Sequence, residues 1–211
     1  MKELKLCDKM SYWLSRFDTK NLKSILSDTI SLSEKNKANN GAHMVSKHKN
    51  LNEFNEWINK KENHLSELCH HAFSVCKGIT KKEWESIEST FWINIVKAKN
   101  PVQRGKVDGR DDLVWHNHTE INKKYEENPP DYTFVFYLQM PNNLKNDDGM
   151  IYLRGSKGEI VSFLPKVGDL LILDGNCWHS PQTALNSDMD RIVLAGNFYF
   201  KPNLKKMKTL L

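Results

Sequence analysis

Along the first 89 residues, apolar positions recur every three or four residues; from residue 90 they recur every second one. Met10, Trp13, Leu14 and Phe17 share a helical face, as do Leu22, Ile25, Leu26 and Ile30. The Asn- and Lys-rich stretch from Glu34 to Asn50 carries little apolar content and reads as a linker, with His43 and His48 solvated. Asn50 and Glu53 then offer a helix start. One apolar stripe follows, from Leu51 through Phe54, Trp57, Leu65, Leu68 and Phe73 to Cys76, and ends near Gly78. Thr80-Lys-Lys-Glu83, flanked by Ile79 and Trp84, has the form of a capping box and predicts a short helix from 81 to about 88.

Beyond this point the pattern is that of strands. Phe91 to Lys97, Leu113 to Ile121, Tyr132 to Met140, Met150 to Arg154, Glu159 to Phe163, Asp169 to Leu173 and Arg191 to Phe200 are short runs punctuated by Gly and Pro. Seven or eight strands without intervening helices predict an antiparallel sandwich or jelly roll. The expected organisation is an N-terminal helical region, 1–89, packing on a β core, 90–211, as one structural domain.

Composition narrows the class. Six Trp, six Tyr and nine Phe supply core material, which disfavours disorder. No run approaches the ~20 apolar residues of a membrane span, and residues 1–18 lack a signal-peptide apolar stretch. The net charge of +5 comes from dispersed Lys and singles out no partner. There is no Walker loop, no G-x-G-x-x-G and no specific nucleic-acid signal. The Cys at 7, 69, 76 and 177 match no zinc knuckle or disulfide framework, so a reducing, cytoplasmic setting is expected. The Asn and Lys bias is compatible with a bacterial or phage gene.

Three features of the β half carry chemistry together. In Trp115-His-Asn-His-Thr-Glu120, an extended backbone points His116, His118 and Glu120 to one side. Pro165 to His179 is a strand running into a loop that delivers another His. Arg191 opens an otherwise apolar strand. Two imidazoles and one carboxylate on one side of a metal leave three positions open, which suits ferrous iron with a bidentate co-substrate and oxygen. An Arg on a neighbouring strand can clamp a remote carboxylate. The spacing permits such an enzyme without demanding it.

The ordered set His118-x-Glu120, Tyr132-Thr-Phe-Val-Phe-Tyr-Leu-Gln, Asp148-Gly-Met-Ile-Tyr-Leu, Pro165-x-x-Gly-Asp-Leu-Leu-Ile-Leu, Trp178-His179 and Arg191-Ile-Val-Leu resembles the 2-oxoglutarate/Fe(II)-dependent dioxygenases, in particular their prolyl-hydroxylase-like branch. The resemblance covers about residues 90–200. It implies a mostly β fold with α elements: a double-stranded β-helix (jelly roll) preceded by N-terminal support helices. It implies Fe(II) held by His118, Glu120 and His179. Arg191 and Tyr137 would bind the distal carboxylate of 2-oxoglutarate. The implied reaction uses O2 to hydroxylate a protein or peptide side chain or a small molecule, releasing succinate and CO2.

Two departures stand out. The carboxylate ligand is Glu rather than the usual Asp, and His116 allows an alternative in which it is a metal ligand and Glu120 is not. The stretch from Gln182 to Asp190 is slightly long, and its Asp188 and Asp190 place negative charge close to Arg191. Two further functional classes stay open: a cupin-like metal protein using three His without a keto acid, and a jelly-roll binding module without catalysis. Trp115 and Trp178 are expected to pack around the pocket, Cys177 to be a small core residue, and the adjacent His70 and His71 to serve packing rather than metal binding. Substrate and oligomeric state are not encoded in any motif present.

Overall fold

A computed structural model describes residues 2–7, 10–17, 21–35, 42–60, 64–80, 84–96, 98, 115–119, 130–145, 148–182, 184 and 186–202. In chain order the elements are β1 (Lys2–Cys7), β2 (Met10–Arg16), α1 (Leu22–Lys35), β3 (Ala42–His48), α2 (Leu51–Asn59), α3 (Leu65–Ile79), β4 (Trp84–Val96), β5 (Tyr132–Gln139), β6 (Ile151–Arg154), β7 (Ile160–Phe163), β8 (Asp169–Asp174), β9 (Trp178–Pro181) and β10 (Arg191–Pro202). They form two antiparallel sheets, one of seven strands in the order β1-β2-β8-β5-β10-β4-β3 and one of three in the order β7-β6-β9.

The large sheet has apolar residues on both faces. On one face Ile87, Phe91, Ile93, Phe134, Phe136, Leu170, Ile172, Ile192, Leu194 and Phe198 meet Ile25, Phe54, Leu65, Leu68, Cys69, Ala72 and Phe73 of the helices. On the other, Tyr12, Tyr137, Leu171, Leu173 and Val193 meet Ile151 and Leu153 of the small sheet. Gly196 is demanded by the first of these layers. A Cβ there would lie 2.5 Å from both the Phe134 and Phe91 rings, which pack on Phe198 at 5.5 Å (stacked) and 5.6 Å (edge-on) between centroids.

In the β half, β5, β6, β7, β8 and β10 fall where the alternation predicts them. The strand expected from Leu113 to Ile121 does not form over its described residues, 115–119, where only His116 makes an isolated bridge and His118 begins a helical turn. The Asn50 start of α2 is a reciprocal cap. Asn50 Oδ1 accepts from the Glu53 amide at 3.0 Å, and Glu53 Oε2 accepts from the Lys49 amide at 2.8 Å. The N-terminal half differs from expectation in four places. Met10 to Arg16 is a strand, pairing with β8 from Tyr12↔Leu173 to Arg16↔Asp169. Tyr12 and Trp13 are buried on opposite faces of the sheet, and a strand covered on both faces loses the polar alternation that would distinguish it from a helix. Within the expected linker, Ala42–His48 forms edge strand β3, and His48 is buried beside Phe54, Trp57 and Phe91, with Nδ1 bonded to Ser89 Oγ at 3.0 Å. The stripe from 51 to 78 is carried by two helices rather than one.

Of the helix expected from 81 to 88, residues 84–88 are instead the start of β4, and 81–83 lie outside the described residues. Thr80 closes α3, its amide bonding to the Cys76 carbonyl at 3.0 Å, and has an extended backbone. Twelve residue pairs of β4 with β10, from Arg191↔Val96 to Pro202↔Trp84, override the local capping pattern. The boundary drawn between residues 89 and 90 therefore lies inside one strand.

Candidate active site

The inner face of the large sheet is set by register. Val193 of β10 lies between Tyr137 of β5 and Asn94 of β4. Two residues on, Ala195 lies between Val135 and Trp92, and two further, Asn197 lies between Thr133 and Thr90. Opposite this face, β9 brings in His179 and Pro181, and β6 brings in Ile151. Together with Arg191, His116 and His118, these side chains line a cavity of about 70 Å³.

His116, His118 and His179 converge in it. One ring nitrogen of each lies within 4.8 Å of those of the other two, and the ring centroids are 4.2 Å (His116–His179), 5.3 Å (His118–His179) and 5.9 Å (His116–His118) apart. The 115–119 segment is not a regular strand. His116 forms a single antiparallel bridge with His179, each amide bonding to the other's carbonyl, at 3.0 and 2.9 Å. His118 begins a helical turn.

Hydrogen bonds set the imidazole tautomers. Asn197 Oδ1 is 2.6 Å from His118 Nδ1 and also accepts from Thr133 Oγ1 at 2.9 Å. An amide oxygen only accepts, so Nδ1 carries the proton and Nε2 keeps its lone pair. His179 repeats the arrangement, with Nδ1 donating to the Cys177 carbonyl at 3.0 Å. Burial, reinforced by His116, lowers the His118 pKa to about 4 against its Asn197 hydrogen bond. Burial, then His116 and His118, drives His179 well below the usual imidazole range. Both are neutral at pH 7 and present an aprotic nitrogen, the form a metal requires.

The cavity also holds a buried cation. Arg191 is 4% exposed. Its Nη1 donates to the Gln182 carbonyl at 3.0 Å, its Nε has no partner, and no carboxylate among the described residues pairs with it. The Tyr137 hydroxyl is likewise buried without a hydrogen bond. Burial raises the Tyr137 pKa despite Arg191, so the phenol remains a neutral donor. A guanidinium and a hydroxyl left unsatisfied in one cavity create a demand for an anion. The neighbouring acidic side chain is engaged elsewhere, since Asp190 Oδ1 accepts from the Ala98 amide at 2.8 Å.

Of the sequence-derived site residues, His118, His179, Arg191 and Tyr137 thus meet in one cavity. His116 joins them, while Glu120 lies outside the described residues. Cys177 is buried and contributes its carbonyl rather than its thiol. Trp115 and Trp178 do not line the cavity but stack on Arg154. His71 packs edge-on to Phe17. The residues missed by motif reading are Asn197, Thr133, Asn94 and Trp92. All four follow from strand alternation: Asn197 is six residues after Arg191, on the same face, and Trp92 and Asn94 share a face of β4.

No protein-family model matches the chain, and no curated protein matches its sequence. Solved structures match its fold. A prolyl-4-hydroxylase from Pseudomonas putida superposes with a TM-score of 0.53 at 12% identity, covering 92% of this chain and 94% of its own. A prolyl 4-hydroxylase from Phytophthora capsici gives 0.55 at 15%, covering 90% of this chain but 58% of that longer one. The non-heme alpha-ketoglutarate-dependent carbocyclase SnoK from nogalamycin biosynthesis gives 0.52 at 11%, covering 95% and 86%. The chain therefore shares its fold with these two prolyl 4-hydroxylases and with the carbocyclase. Among the described residues no helix is long and apolar enough to cross a membrane.

Proposed function

We propose that this chain is a non-haem Fe(II)- and 2-oxoglutarate-dependent dioxygenase that hydroxylates a protein or peptide side chain or a small molecule. The observation that carries this reading is the pairing of two unmet demands in one cavity: the Nε2 lone pairs of His118 and His179, and the buried, uncompensated Arg191 beside the unpartnered Tyr137 hydroxyl. A dianionic keto acid that chelates a metal at one end and presents a carboxylate at the other answers both. Iron and 2-oxoglutarate, when bound, supply the oxygen-activating chemistry that ends in succinate, CO2 and a hydroxylated product.

The donor chemistry fits a metal. His118 and His179 are pre-set to donate through Nε2, and His116, by its position, is the third ligand this reading favours, with Glu120 the alternative. Arg191 holds the distal carboxylate by charge-assisted hydrogen bonds and Tyr137 adds a neutral donor. Val193 and Ala195 give the floor between the two ends a small, apolar surface. The two sheets are read as the double-stranded β-helix, with α1, α2 and α3 as its support helices and residues 1–89 and 90–211 as one structural unit. The described Cys69, Cys76 and Cys177 form no disulfide, and this reading takes the compartment to be a reducing one.

A second reading is favoured by the three-imidazole cluster itself: a cupin-like metal protein with no keto-acid co-substrate. One experiment separates the two. Fe(II) and 2-oxoglutarate are added anaerobically to the protein while the visible metal-to-ligand charge-transfer band is followed. The dioxygenase reading expects the band in the wild type and its loss in Arg191→Leu. Iron binding with no band under saturating 2-oxoglutarate rejects that reading and leaves the cupin-like one. No metal binding at all leaves a binding module.

A further inference from the structure

Behind the three imidazoles, the last residue of β6 holds two indoles together. The Arg154 guanidinium carbon lies 5.0 Å from the Trp115 ring centroid and 5.3 Å from that of Trp178. Each Trp immediately precedes a cavity histidine, Trp115 before His116 and Trp178 before His179. The register pairs Leu153 with His179 and Arg154 with Trp178. Alternation along β9 therefore directs His179 to the cavity face and Trp178 to the opposite face, on which Arg154 lies. Arg154 makes no hydrogen bond or ion pair with the described residues; its interactions are the two aromatic faces.

We propose that Arg154 is a positioning residue for the metal centre: stacked between Trp115 and Trp178, it fixes His116 relative to His179. The inference rests on the metal reading given above. Among the contacts that tie the His116 segment to β9 and to the turn before it are the two bridge bonds with His179, one bond from the Thr119 amide to the Gly175 carbonyl at 3.2 Å, and this stack. His118, by contrast, is anchored on the large sheet by Asn197 and Thr133. The stack therefore bears on His116, next to Trp115, more directly than on His118. A planar cation is suited to the task, since it can lie against two ring faces at once.

The test is a Co(II) titration followed by visible absorption, which reads metal binding without turnover. Arg154→Met is expected to weaken Co(II) binding about tenfold, the size usual when a group that orients a ligand is lost. Arg154→Lys, which keeps a cation between the rings, is expected to recover most of it. In a His116→Ala background, Arg154→Met is expected to add nothing, because its route runs through His116. Should Arg154→Met not fold, Trp115→Leu removes one face of the stack and enters the same cycle. Unchanged affinity in Arg154→Met, or equal weakening with and without His116, overturns the proposal while leaving the metal reading intact. Failure of the wild type to bind Co(II) removes the metal reading first, and the proposal with it.

Discussion

His118 and Asn197, 79 residues apart in sequence, are joined by a 2.6 Å hydrogen bond that fixes which nitrogen of the imidazole faces the cavity. Asn197 is itself held by Thr133, so β5 and β10 cooperate to orient one side chain. The proton on Nδ1 is committed to the sheet, and Nε2 is left as a donor.

Asn197→Leu removes that acceptor while keeping the branched shape of the side chain. It is expected to weaken Fe(II) or Co(II) binding by about 10–100-fold, the range for loss of a partner that orients a metal-bound histidine. Equilibrium titration checks it. Unchanged affinity would mean that Asn197 does not control the His118 ring.

The low imidazole pKa values give the metal-free protein an acid sensitivity of definite sign. His118 has an ordinary value of 6.5 and a folded value of about 4. The unfolded chain therefore takes up the proton first, and stability is retained above pH 6.5 and lost as pH falls from 6.5 towards 4. That interval corresponds to about 3 kcal/mol for His118 alone. His179 and His48, both also lowered, act in the same direction. Urea unfolding midpoints at pH 7 and pH 4.5 measure it, and a flat profile over that range contradicts the burial argument. Bound metal should steepen the loss, because protons compete for the same lone pairs.

Gly196→Ala tests the aromatic layer under the sheet. The added methyl meets the Phe91 and Phe134 rings at 2.5 Å and the Thr90 carbonyl at 2.8 Å, and the central strand has no room to yield. A destabilisation of about 1–3 kcal/mol is expected from such overpacking, read from chemical unfolding. A neutral effect would show that the rings can part.

The site was more legible in the sequence than the scaffold around its edge. His118, His179, Arg191 and Tyr137 meet in one cavity and could be grouped because they belong to one ordered motif set, not because each lies on an alternating strand: His118 begins a helical turn. β2 and the first part of β4, from Trp84, could not be read, for different reasons, although β4 from Phe91 onward reads as a strand. Tyr12 and Trp13 are buried on opposite faces, which erases the period-two signal, and Thr80 to Glu83 carries a helix start that long-range pairing with β10 overrides. His116 was ambiguous because its role depends on a single bridge to a residue 63 positions away, which no local pattern encodes. Asn197 was hidden in an apolar strand, where one amide reads as an interruption rather than as the partner of a distant imidazole.

Arg191 is expected to separate stability from function. Its guanidinium is 4% exposed, makes one hydrogen bond to the Gln182 carbonyl, and leaves Nε unpartnered. A buried cation with so little compensation destabilises the fold, and such local conflicts mark functional positions. Arg191→Met keeps the length of the stem and removes the charge. The metal-free variant should therefore unfold at higher urea than the wild type, by about 1 kcal/mol or more. The same substitution should weaken 2-oxoglutarate binding at least about 100-fold, since charge-assisted hydrogen bonds of roughly 1.5–3 kcal/mol each are lost. Tyr137→Phe, which removes one neutral donor to the same carboxylate, should cost about tenfold and leave stability nearly unchanged. A less stable Arg191→Met protein would mean that the arginine is satisfied in the free fold. Its charge would then be structural, and the case for an incoming carboxylate would lose its physical basis.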